Sequence, residues 1–431
     1  MHVDSVNTSS AAPSWPAGAE QPGDALQAIL ARGAVRSVYQ PIVELDGGAT
    51  IGWEALARGP EGSSLERPDL LFGAAAATGR TGELDWECRA AAARGALDAG
   101  LRRDRALFVN VEPETVGIPV PAHLEELWQR AGEELDVVVE ITERSLTSRP
   151  AELLAAVQQI RSRGWGIALD DVGADTRSLA LMPLLRPDVI KLDLRLVQEQ
   201  PTAEIASIVN AVNAESERTG AVVLAEGIET ERQLEVARAM GARLGQGWLF
   251  GRPGALDLSA QRGTTELPRT ANAPLAGTTP YQVVSAERDH RRADKRLLLA
   301  ISHHLEDQAL TLGAGAVVLS AFQEAERFTE ATHRRYARLA AGAAFVAALG
   351  GDMSTEPAPG VRGASLRGND GLAGEWSIAV IGPHFAGALT ALDLGDSGPD
   401  MDRCFDFCLT YDRELVTEAA AALMRRVTPL G

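Results

Sequence analysis

The first half of the chain carries polar side chains at or near the ends of several short apolar runs. These side chains belong to Glu54, Asn110, Glu140, Asp170, Asp171, Lys191, Asp193, Glu226 and Gln246. If the runs are parallel strands, their carboxyl ends meet on one face of the fold, so the side chains should converge. An acid at the end of one strand commonly does no more than meet solvent, but the same pattern on six strands favours a functional site.

Carboxylates that converge in this way favour a bound cation. Two carboxylates about 4 Å apart repel each other by roughly 4 kcal/mol at an effective dielectric constant of about 20. Several such pairs would rival the net stability of a domain, about 5–15 kcal/mol, unless the groups are protonated or a cation lies among them. Oxygen ligands select hard cations such as Mg²⁺ or Mn²⁺. A pair of such ions is suited to in-line attack on a phosphodiester.

The elements that position these residues follow from the alternation of apolar runs with helical patterns. Alternation of this kind predicts βαβ units and a mostly parallel sheet. About eight strands over roughly 230 residues predict an α/β fold of the closed, modified (β/α)8 barrel type. No helical pattern separates the first two runs, SVYQPIVEL and TIGWEALAR, so one strand is expected to run antiparallel in a hairpin.

Two segments without apolar periodicity divide the chain. Residues 1–23 and 255–279 are rich in small residues and proline, and are predicted to be a disordered tail and a linker. The barrel is therefore expected over residues 24–254 and a smaller α/β domain over residues 280–428. In the second domain the patterns predict a strand over GAVVLSAF, a helix around RRYARLAAGAAFVAALG, and two paired strands, EWSIAVIGP and AGALTALDL.

The composition argues against some classes of protein. The formal net charge of −18 opposes a broad surface for DNA or RNA. The three cysteines indicate a reducing compartment rather than a disulfide framework. The N-terminal segment has no basic start or apolar centre, and the most apolar stretch, near residues 339–349, is too short to span a bilayer. We therefore expect a cytoplasmic protein without a membrane segment.

The motifs around the polar residues resemble, in order and spacing, those of the EAL domain of cyclic di-GMP phosphodiesterases. They are QPIVEL, EALAR, VNVEP, VEITE, LDDVG, IKLD, AEGIETERQ and QGWLFGRP. The resemblance covers about residues 25–253. It implies an EAL-type barrel that binds cyclic di-GMP, hydrolyses it to linear 5′-phosphoguanylyl-guanosine, and forms a homodimer through the barrel.

The resemblance also implies a role for each polar residue. One metal ion, Mg²⁺ or Mn²⁺, would be held by Glu54, Asn110, Glu140 and Asp170. Asp170 would bridge to a second ion, which would also be held by Asp171 and Glu226. Lys191 would orient or polarise the attacking water, and Asp171 and Glu226 would act with it in catalysis.

Further residues would bind the substrate or support the site. Arg58 would bind a substrate phosphate, for which its planar guanidinium is well suited. Gln40, Asp193 and Gln246 would line the substrate cleft. Glu143 and Glu229 would hold neighbouring loops in place.

One loop departs from the family pattern, which usually reads Phe-Gly-Thr-Gly-Tyr-Ser-Ser after the paired aspartates. Here the sequence is Val172-Gly173-Ala174-Asp175-Thr176-Arg177-Ser178. In the family this loop is linked with the coupling of dimer contacts to metal binding. The change favours one alternative to an enzyme, a receptor or scaffold that binds cyclic di-GMP without cleaving it. A further alternative, a sensor whose barrel only dimerises, is opposed by the complete ligand set.

The second domain resembles the DICT sensory domain found beside cyclic-nucleotide signalling modules. The resemblance rests on FQEAERFTEATHRRYARLA, EWSIAVIGPHFAGALTALD and RCFDFCLTYDRELV. It implies no particular ligand. That this domain regulates the barrel is a hypothesis, which the proline-rich linker between two folded units motivates. Phe322, Tyr336 and Trp376 could line a ligand pocket, although aromatic residues at such positions usually belong to a core.

Overall fold

The computed structural model describes residues 22–112, 115, 117–142, 149–174, 178–270, 279–396 and 399–428. The predicted tail lies outside these residues apart from its last two. Glu143 and the end of the divergent loop, residues 175–177, lie outside them as well. The described residues form two α/β units, each built on its own sheet.

Eight strands of the first unit form a closed barrel in chain order. They are β1 (Arg36–Glu44), β2 (Thr50–Arg58), β3 (Ala106–Asn110), β4 (Asp136–Thr142), β5 (Gly166–Val172), β6 (Val189–Leu192), β7 (Val222–Ala225) and β8 (Leu244–Gly245). β1 runs antiparallel to both β2 and β8, whereas the other neighbouring pairs are parallel. Gly47 and Gly48 adopt positive φ in the turn after β1, which lets the chain reverse there. The predicted barrel with one antiparallel strand is confirmed.

Helices of the first unit surround the barrel and cover its apolar outer face. They are α1 (Pro22–Ala31), α2 (Pro68–Ala77), α3 (Thr81–Asp98), α4 (Glu125–Glu134), α5 (Pro150–Ser162), α6 (Ser178–Leu185), α7 (Leu194–Gln198), α8 (Ala203–Thr219) and α9 (Glu231–Ala239). Inside the barrel, Ile42, Phe108, Val138 and Leu224 are fully buried in a separate apolar cluster. Strands buried on both faces read as continuous apolar runs, which is why the sequence showed them clearly.

Residues 255–270 of the predicted linker run across the amino-terminal ends of the parallel strands. Leu267 packs on the apolar interior of the barrel. Arg269 Nη2 lies 2.5 Å from Asp136 Oδ1, at the start of β4. Glu44 accepts hydrogen bonds from the backbone of two threonines in the segment. The segment therefore covers the end of the barrel that lies opposite the carboxyl ends of its parallel strands.

The second unit contains a mixed sheet of seven strands. They are β9 (Arg291–Asp294), β10 (Val317–Glu324), β11 (Phe345–Gly351), β12 (Arg362–Leu366), β13 (Glu375–Ile381), β14 (Ala386–Asp393) and β15 (Cys404–Thr410), in the spatial order β12-β11-β10-β13-β14-β15-β9. Its helices are α10 (Pro280–Ser285), α11 (Lys295–Leu312), α12 (Glu330–Gly342) and α13 (Arg413–Met424). α11 and α12 cover one face of the sheet, and α10 and α13 cover the other. None of the described helices is both long and apolar enough to cross a membrane.

One secondary-structure prediction for the second unit was wrong. The predicted helix around RRYARLAAGAAFVAALG ends at Gly342, and the residues FVAALG begin the parallel strand β11. A short strand buried on both faces cannot be told from a buried helical segment by periodicity, since both read as continuous apolar sequence. The paired strands β13 and β14 lie where they were predicted.

The two units touch through α13, which packs against α5 and α6 of the barrel. Arg186, directly after α6, lies 3.9 Å from both Glu414 and Glu418. Val416 and Ala420 of α13 are fully buried in the same apolar cluster as the barrel helices. The second unit therefore contacts the helix that follows β5.

Candidate active site

The carboxyl end of the barrel holds most of the predicted metal-binding residues. Asn110 ends β3, Glu226 follows β7, and Gln246 follows β8. Glu54 and Glu140 lie within their strands rather than at the ends, because β2 and β4 continue beyond them. Both glutamates are buried, with 7% and 1% of their surface exposed. They therefore form the inner part of the site, while the residues after β7 and β8 lie at its edge.

Lys191 lies at the centre of the acidic group, with 1% of its side chain exposed. Its Nζ atom is 2.6 Å from Glu140 Oε1, 2.8 Å from Glu226 Oε1, 2.9 Å from Asp170 Oδ1 and 3.8 Å from Glu54 Oε2. The structure thus brings together five residues that the sequence selected. One ammonium group cannot neutralise four carboxylates, so part of this group must be protonated or bind a further cation.

These contacts shift the pKa values of the group in different directions. Burial acts to lower the pKa of Lys191, but the four carboxylates outweigh burial and raise it well above its usual value. Burial, and next the charge of Glu54, raise the pKa of Glu140 well above its usual value. Burial raises the pKa of Glu226 to about 8, although Lys191 opposes the change. Burial also acts to raise the pKa of Glu54, but Lys191 and two amide hydrogen bonds outweigh it and lower that pKa.

Two side-chain amides hold the carboxylate of Glu54. Asn110 Nδ2 donates to Glu54 Oε1 at 2.9 Å, and Gln246 Nε2 donates to Glu54 Oε2 at 2.6 Å. Gln246 Nε2 also lies 3.1 Å from Gln40 Oε1, and Gln40 Nε2 donates to the carbonyl of Gly251. The two glutamines therefore lie side by side next to the acidic group, and the substrate contact predicted for them stays a prediction.

A β-bulge in β5 turns two consecutive aspartates toward the same space. Along a regular strand, neighbouring side chains point to opposite faces of the sheet. Here β5 gains one residue relative to β6 between Leu169 and Val172, and Asp171 has a φ of +57°. Aspartate tolerates this left-handed conformation better than most residues. As a result, Asp170, Asp171 and Glu226 each offer a carboxylate oxygen within 4.8 Å of the others.

Gly227, which the sequence motifs did not single out, lies directly after Glu226 and close against α7. Its φ is +65°, and a Cβ atom there would lie 2.5 Å from the Cβ atom of Leu194. A residue with a side chain would therefore displace α7 or move Glu226 away from the acidic group. The signal in the sequence was a glycine directly after an acid at a strand end.

The remaining predicted residues lie at the edge of this group or outside the described part. Arg58 is half-buried at the end of β2. Asp193 caps α7 through a hydrogen bond from a backbone N–H, and its predicted contact with substrate stays a prediction. Glu229 is exposed, and its backbone N–H joins the cap of α9. The support predicted from Glu143 lies outside the described residues.

The donor set suits hard divalent cations. The side chains that converge beside Lys191 offer carboxylate and amide oxygens, which such ions prefer. Asp170, Asp171 and Glu226 crowd three carboxylates into one small space, an arrangement that costs free energy until a cation binds. Among the described residues, no donor reaches the buried Oε2 atom of Glu140. The residues present therefore fit bound metal ions.

Both units of the chain match known protein families, and the barrel is similar to proteins of named activity. Residues 23–253 match the EAL domain family, and residues 281–394 match the DICT family, a sensory domain in diguanylate cyclases and two-component systems. Cyclic di-GMP phosphodiesterase RocR of Pseudomonas aeruginosa is 32% identical over 234 residues, which cover 52% of this chain and 58% of RocR. Cyclic di-GMP phosphodiesterase NbdA of the same organism is 31% identical over 225 residues, which cover 50% of this chain and 28% of NbdA.

A solved structure with similar sequence is the manganese and cyclic di-GMP complex of Klebsiella pneumoniae BlrP1. It has 31% identity and a TM-score of 0.46, and the match covers 51% of this chain and 56% of that chain. The chain thus spans little more than half the length of RocR and a smaller part of NbdA. The match to the EAL domain, by contrast, extends over more than half of the chain itself. The chain therefore belongs to the EAL domain family, and the unit after its barrel is similar to the DICT family.

Proposed function

We propose that the chain hydrolyses cyclic di-GMP to linear 5′-phosphoguanylyl-guanosine at the carboxyl end of its barrel. The observation that carries this proposal is the convergence of Asp170, Asp171 and Glu226 beside the buried pair of Lys191 and Glu140. RocR and NbdA, which are similar to the barrel, bear the name of this activity. The convergence supports the same chemistry in this chain.

Two divalent cations, Mg²⁺ or Mn²⁺, would complete the site. One would be held by Glu54, Asn110, Glu140 and Asp170, and the other by Asp170, Asp171 and Glu226. The bound ions would supply Lewis acidity toward the phosphodiester and the attacking water. Because Glu226 must lose its proton to bind a cation, metal affinity should rise as the pH approaches its pKa of about 8.

The side chains of the protein would orient the substrate and the water. In the chain without bound cations the four carboxylates raise the pKa of Lys191, so Nζ keeps its proton and donates hydrogen bonds. Arg58, at the end of β2, would bind a non-bridging phosphate oxygen with its planar guanidinium. Gln40 and Gln246, which lie together beside Glu54, would contact the substrate at the cleft.

Chromatography of cyclic di-GMP after incubation with the full chain tests the proposed hydrolysis. We expect the linear dinucleotide with Mg²⁺ or Mn²⁺ and no product with a chelator. Glu54→Ala should abolish turnover because it removes a metal ligand held by two amides. Glu235→Ala, an exposed change on α9, should leave the rate unchanged. If calorimetry shows that cyclic di-GMP binds while it stays intact over long incubation, the chain is a receptor and the proposed hydrolysis is wrong.

We also propose that the second unit regulates the barrel through α6. This helix begins seven residues after Asp171, and its carboxyl end accepts two hydrogen bonds from Arg161. α13 packs on α6, which also contacts the turn at Gly313–Gly315 that follows α11. A displacement of α11 or α13 would therefore reach the paired aspartates through one short helix. Homodimerisation through the barrel stays a prediction, which light scattering of the full chain would check.

A further inference from the structure

A cavity in the second unit lies between α11, α12 and the sheet, on the sheet face that α13 does not cover. Its walls include the rings of Phe322, Tyr336, Trp376 and Phe405. The ring centroids of Phe322 and Tyr336 are 5.3 Å apart, and those of Trp376 and Phe405 are 5.7 Å apart, each pair edge to face. The three aromatic residues selected from the sequence thus line one cavity, whose walls suit a flat ring.

Ser302, one of the residues that line the cavity, has a buried hydroxyl group without a partner among the described residues. Ser302 of α11 has 4% of its surface exposed, and among the described residues nothing forms a hydrogen bond with its Oγ atom. Glu306, one turn further along the helix, accepts a hydrogen bond from Arg335 of α12 and forms none with Ser302. Because an unpaired buried hydroxyl costs free energy, this position favours a ligand group that completes its hydrogen bond.

Three cations meet at the other end of the cavity. Lys295, Arg327 and Arg403 all contact the carboxylate of Asp400, and Arg403 also pairs with Asp393. Three cations therefore face two carboxylates, which leaves one positive charge in excess. The Asp400 side chain is 49% exposed, so its ion pairs are weak and can be exchanged for a ligand anion.

Gln323 lies at the cation end of the cavity, and its backbone is strained. Its φ is +64°, and it lies at a bulge in β10. Its Nε2 atom donates to Asp393 Oδ2 at 3.1 Å, and its Oε1 atom accepts from Arg403 Nη2 at 3.2 Å. Residues other than glycine keep this conformation only where the surrounding structure holds them, and they cluster at ligand sites.

We propose that this cavity binds a small aromatic carboxylate that carries a hydroxyl group at the far end of its ring. The carboxylate would bind Lys295 and Arg403, the ring would lie between Phe322 and Trp376, and the hydroxyl would pair with Ser302. Lys295 and Ser302 are seven residues apart on α11, which is about 10 Å along the helix axis. This span accommodates one ring with a hydrogen bond at each end. Binding of such a ligand does not depend on hydrolysis by the barrel.

Isothermal titration calorimetry of the full chain with three probes tests this site. The probes are 4-hydroxybenzoate, benzoate, which lacks the hydroxyl, and 4-hydroxybenzyl alcohol, which lacks the charge. We expect 4-hydroxybenzoate to bind, and each of the other two to bind at least about tenfold more weakly. Benzoate leaves the hydroxyl of Ser302 unpaired, and the alcohol offers no negative charge to the cations.

Two variants test which residue binds the hydroxyl group of the ligand and which binds its carboxylate. Ser302→Ala should bring the affinities for 4-hydroxybenzoate and benzoate within about twofold of each other, without lowering the melting temperature of the ligand-free chain. Lys295→Met should reduce the preference of the chain for 4-hydroxybenzoate over the alcohol, because Arg403 alone then binds the carboxylate. His304→Ala, an exposed change on the same helix outside the cavity, should keep both preferences.

Three results would overturn the assignment of this ligand class. They are the absence of any heat from 4-hydroxybenzoate at about 5 mM, equal affinity for all three probes, and an unchanged preference for 4-hydroxybenzoate in Ser302→Ala. A drop in the melting temperature of the ligand-free Ser302→Ala chain would also count against it, since the hydroxyl would then have a structural partner. Ser302→Ala removes one atom only, so it remains informative if Lys295→Met fails to fold.

Discussion

Lys191 Nζ lies 2.6 Å from Glu140 Oε1, and both side chains are withdrawn from solvent. Lys191→Met would leave the acidic group without the cation that its members share. We expect this change to lower the free energy of unfolding by about 3–5 kcal/mol in the presence of a chelator, as is typical when one partner of a buried ion pair is removed. Urea denaturation at pH 7 measures the loss, and added Mn²⁺ should restore part of it.

The matched control for Lys191 is Arg195→Met, which removes a cation from an exposed pair with Glu199. Its effect should stay below about 1 kcal/mol, because exposed ion pairs contribute little. Equal effects of the two changes would show that burial of Lys191 among the carboxylates does not matter for stability.

Gly227→Ala should impair the site beyond the cost of backbone strain. Gly227 and Gly220 both have positive φ, but a Cβ atom at Gly220 would meet no atom of the described residues within 4 Å. Either alanine should therefore cost about 1 kcal/mol of stability through its backbone. Only at Gly227 should Mn²⁺ affinity and the hydrolysis rate also fall, by at least about tenfold, because Glu226 moves. Equal rates for the two variants would contradict the positioning role of Gly227.

Glu375 should make the stability of the second unit depend on pH. It accepts hydrogen bonds from Thr279 Oγ1 and from the backbone N–H of Tyr281, yet burial raises its pKa to about 7. The folded chain thus holds this proton more tightly than the unfolded chain does. The contribution of Glu375 to the free energy of unfolding is therefore complete below the usual glutamate pKa, and it is lost as the pH rises toward and past 7.

Between pH 5 and pH 8 this loss should reach up to about 3 kcal/mol in the free energy of unfolding. Glu375→Gln should flatten the dependence, since the amide carries no titrating proton. Glu326→Gln, at an exposed position of the same unit, should leave it as it is. A profile that is unchanged by Glu375→Gln would show that another group is responsible.

The rate of hydrolysis should depend on the contact between the two units. Arg186 lies 3.9 Å from Glu414 and from Glu418, all of them partly exposed. Reversal of both charges in Glu414→Lys/Glu418→Lys should repel α13 from the end of α6 while costing little stability. Because α6 follows closely on Asp171, we expect a weaker affinity for Mn²⁺ and a rate at least about twofold lower. Glu330→Lys, on the exposed side of α12, is the matched control, and identical kinetics in both variants would exclude control through this contact.

The spacing of the sequence was sufficient to bring Asn110, Glu226 and Gln246 to one end of the barrel. Each of these residues ends or follows a strand whose apolar run is well marked. The spacing could not show how Asp170 and Asp171 come to face one space, because that depends on the φ angle of one residue within a bulge. Periodicity records which side chains are apolar, and it carries no information on a local break in strand pairing.

The segment 255–270 could not be placed from the sequence for a different reason. It contacts the barrel through individual groups, such as Leu267 and Arg269, rather than through a regular helix or strand. Segments of this kind have no repeating pattern, and proline together with small polar residues makes them read as a linker. Likewise, the sequence shows Ser302 only as a serine within a helix, and only the structure shows that its hydroxyl has no partner among the described residues.

The attachment of residues 255–270 to the barrel sets the local concentration of the second unit. The segment reaches Thr270, whose backbone N–H donates to Asp188, and eight residues then lead to Thr279. At about 3.3–3.6 Å per residue, this connection spans no more than roughly 30 Å. A partner tethered at such a distance is present at an effective concentration in the millimolar range. A contact between α13 and α6 that would be too weak to join two separate molecules would still be populated within one chain. A ligand then needs only a small difference in binding free energy to shift the equilibrium of this contact.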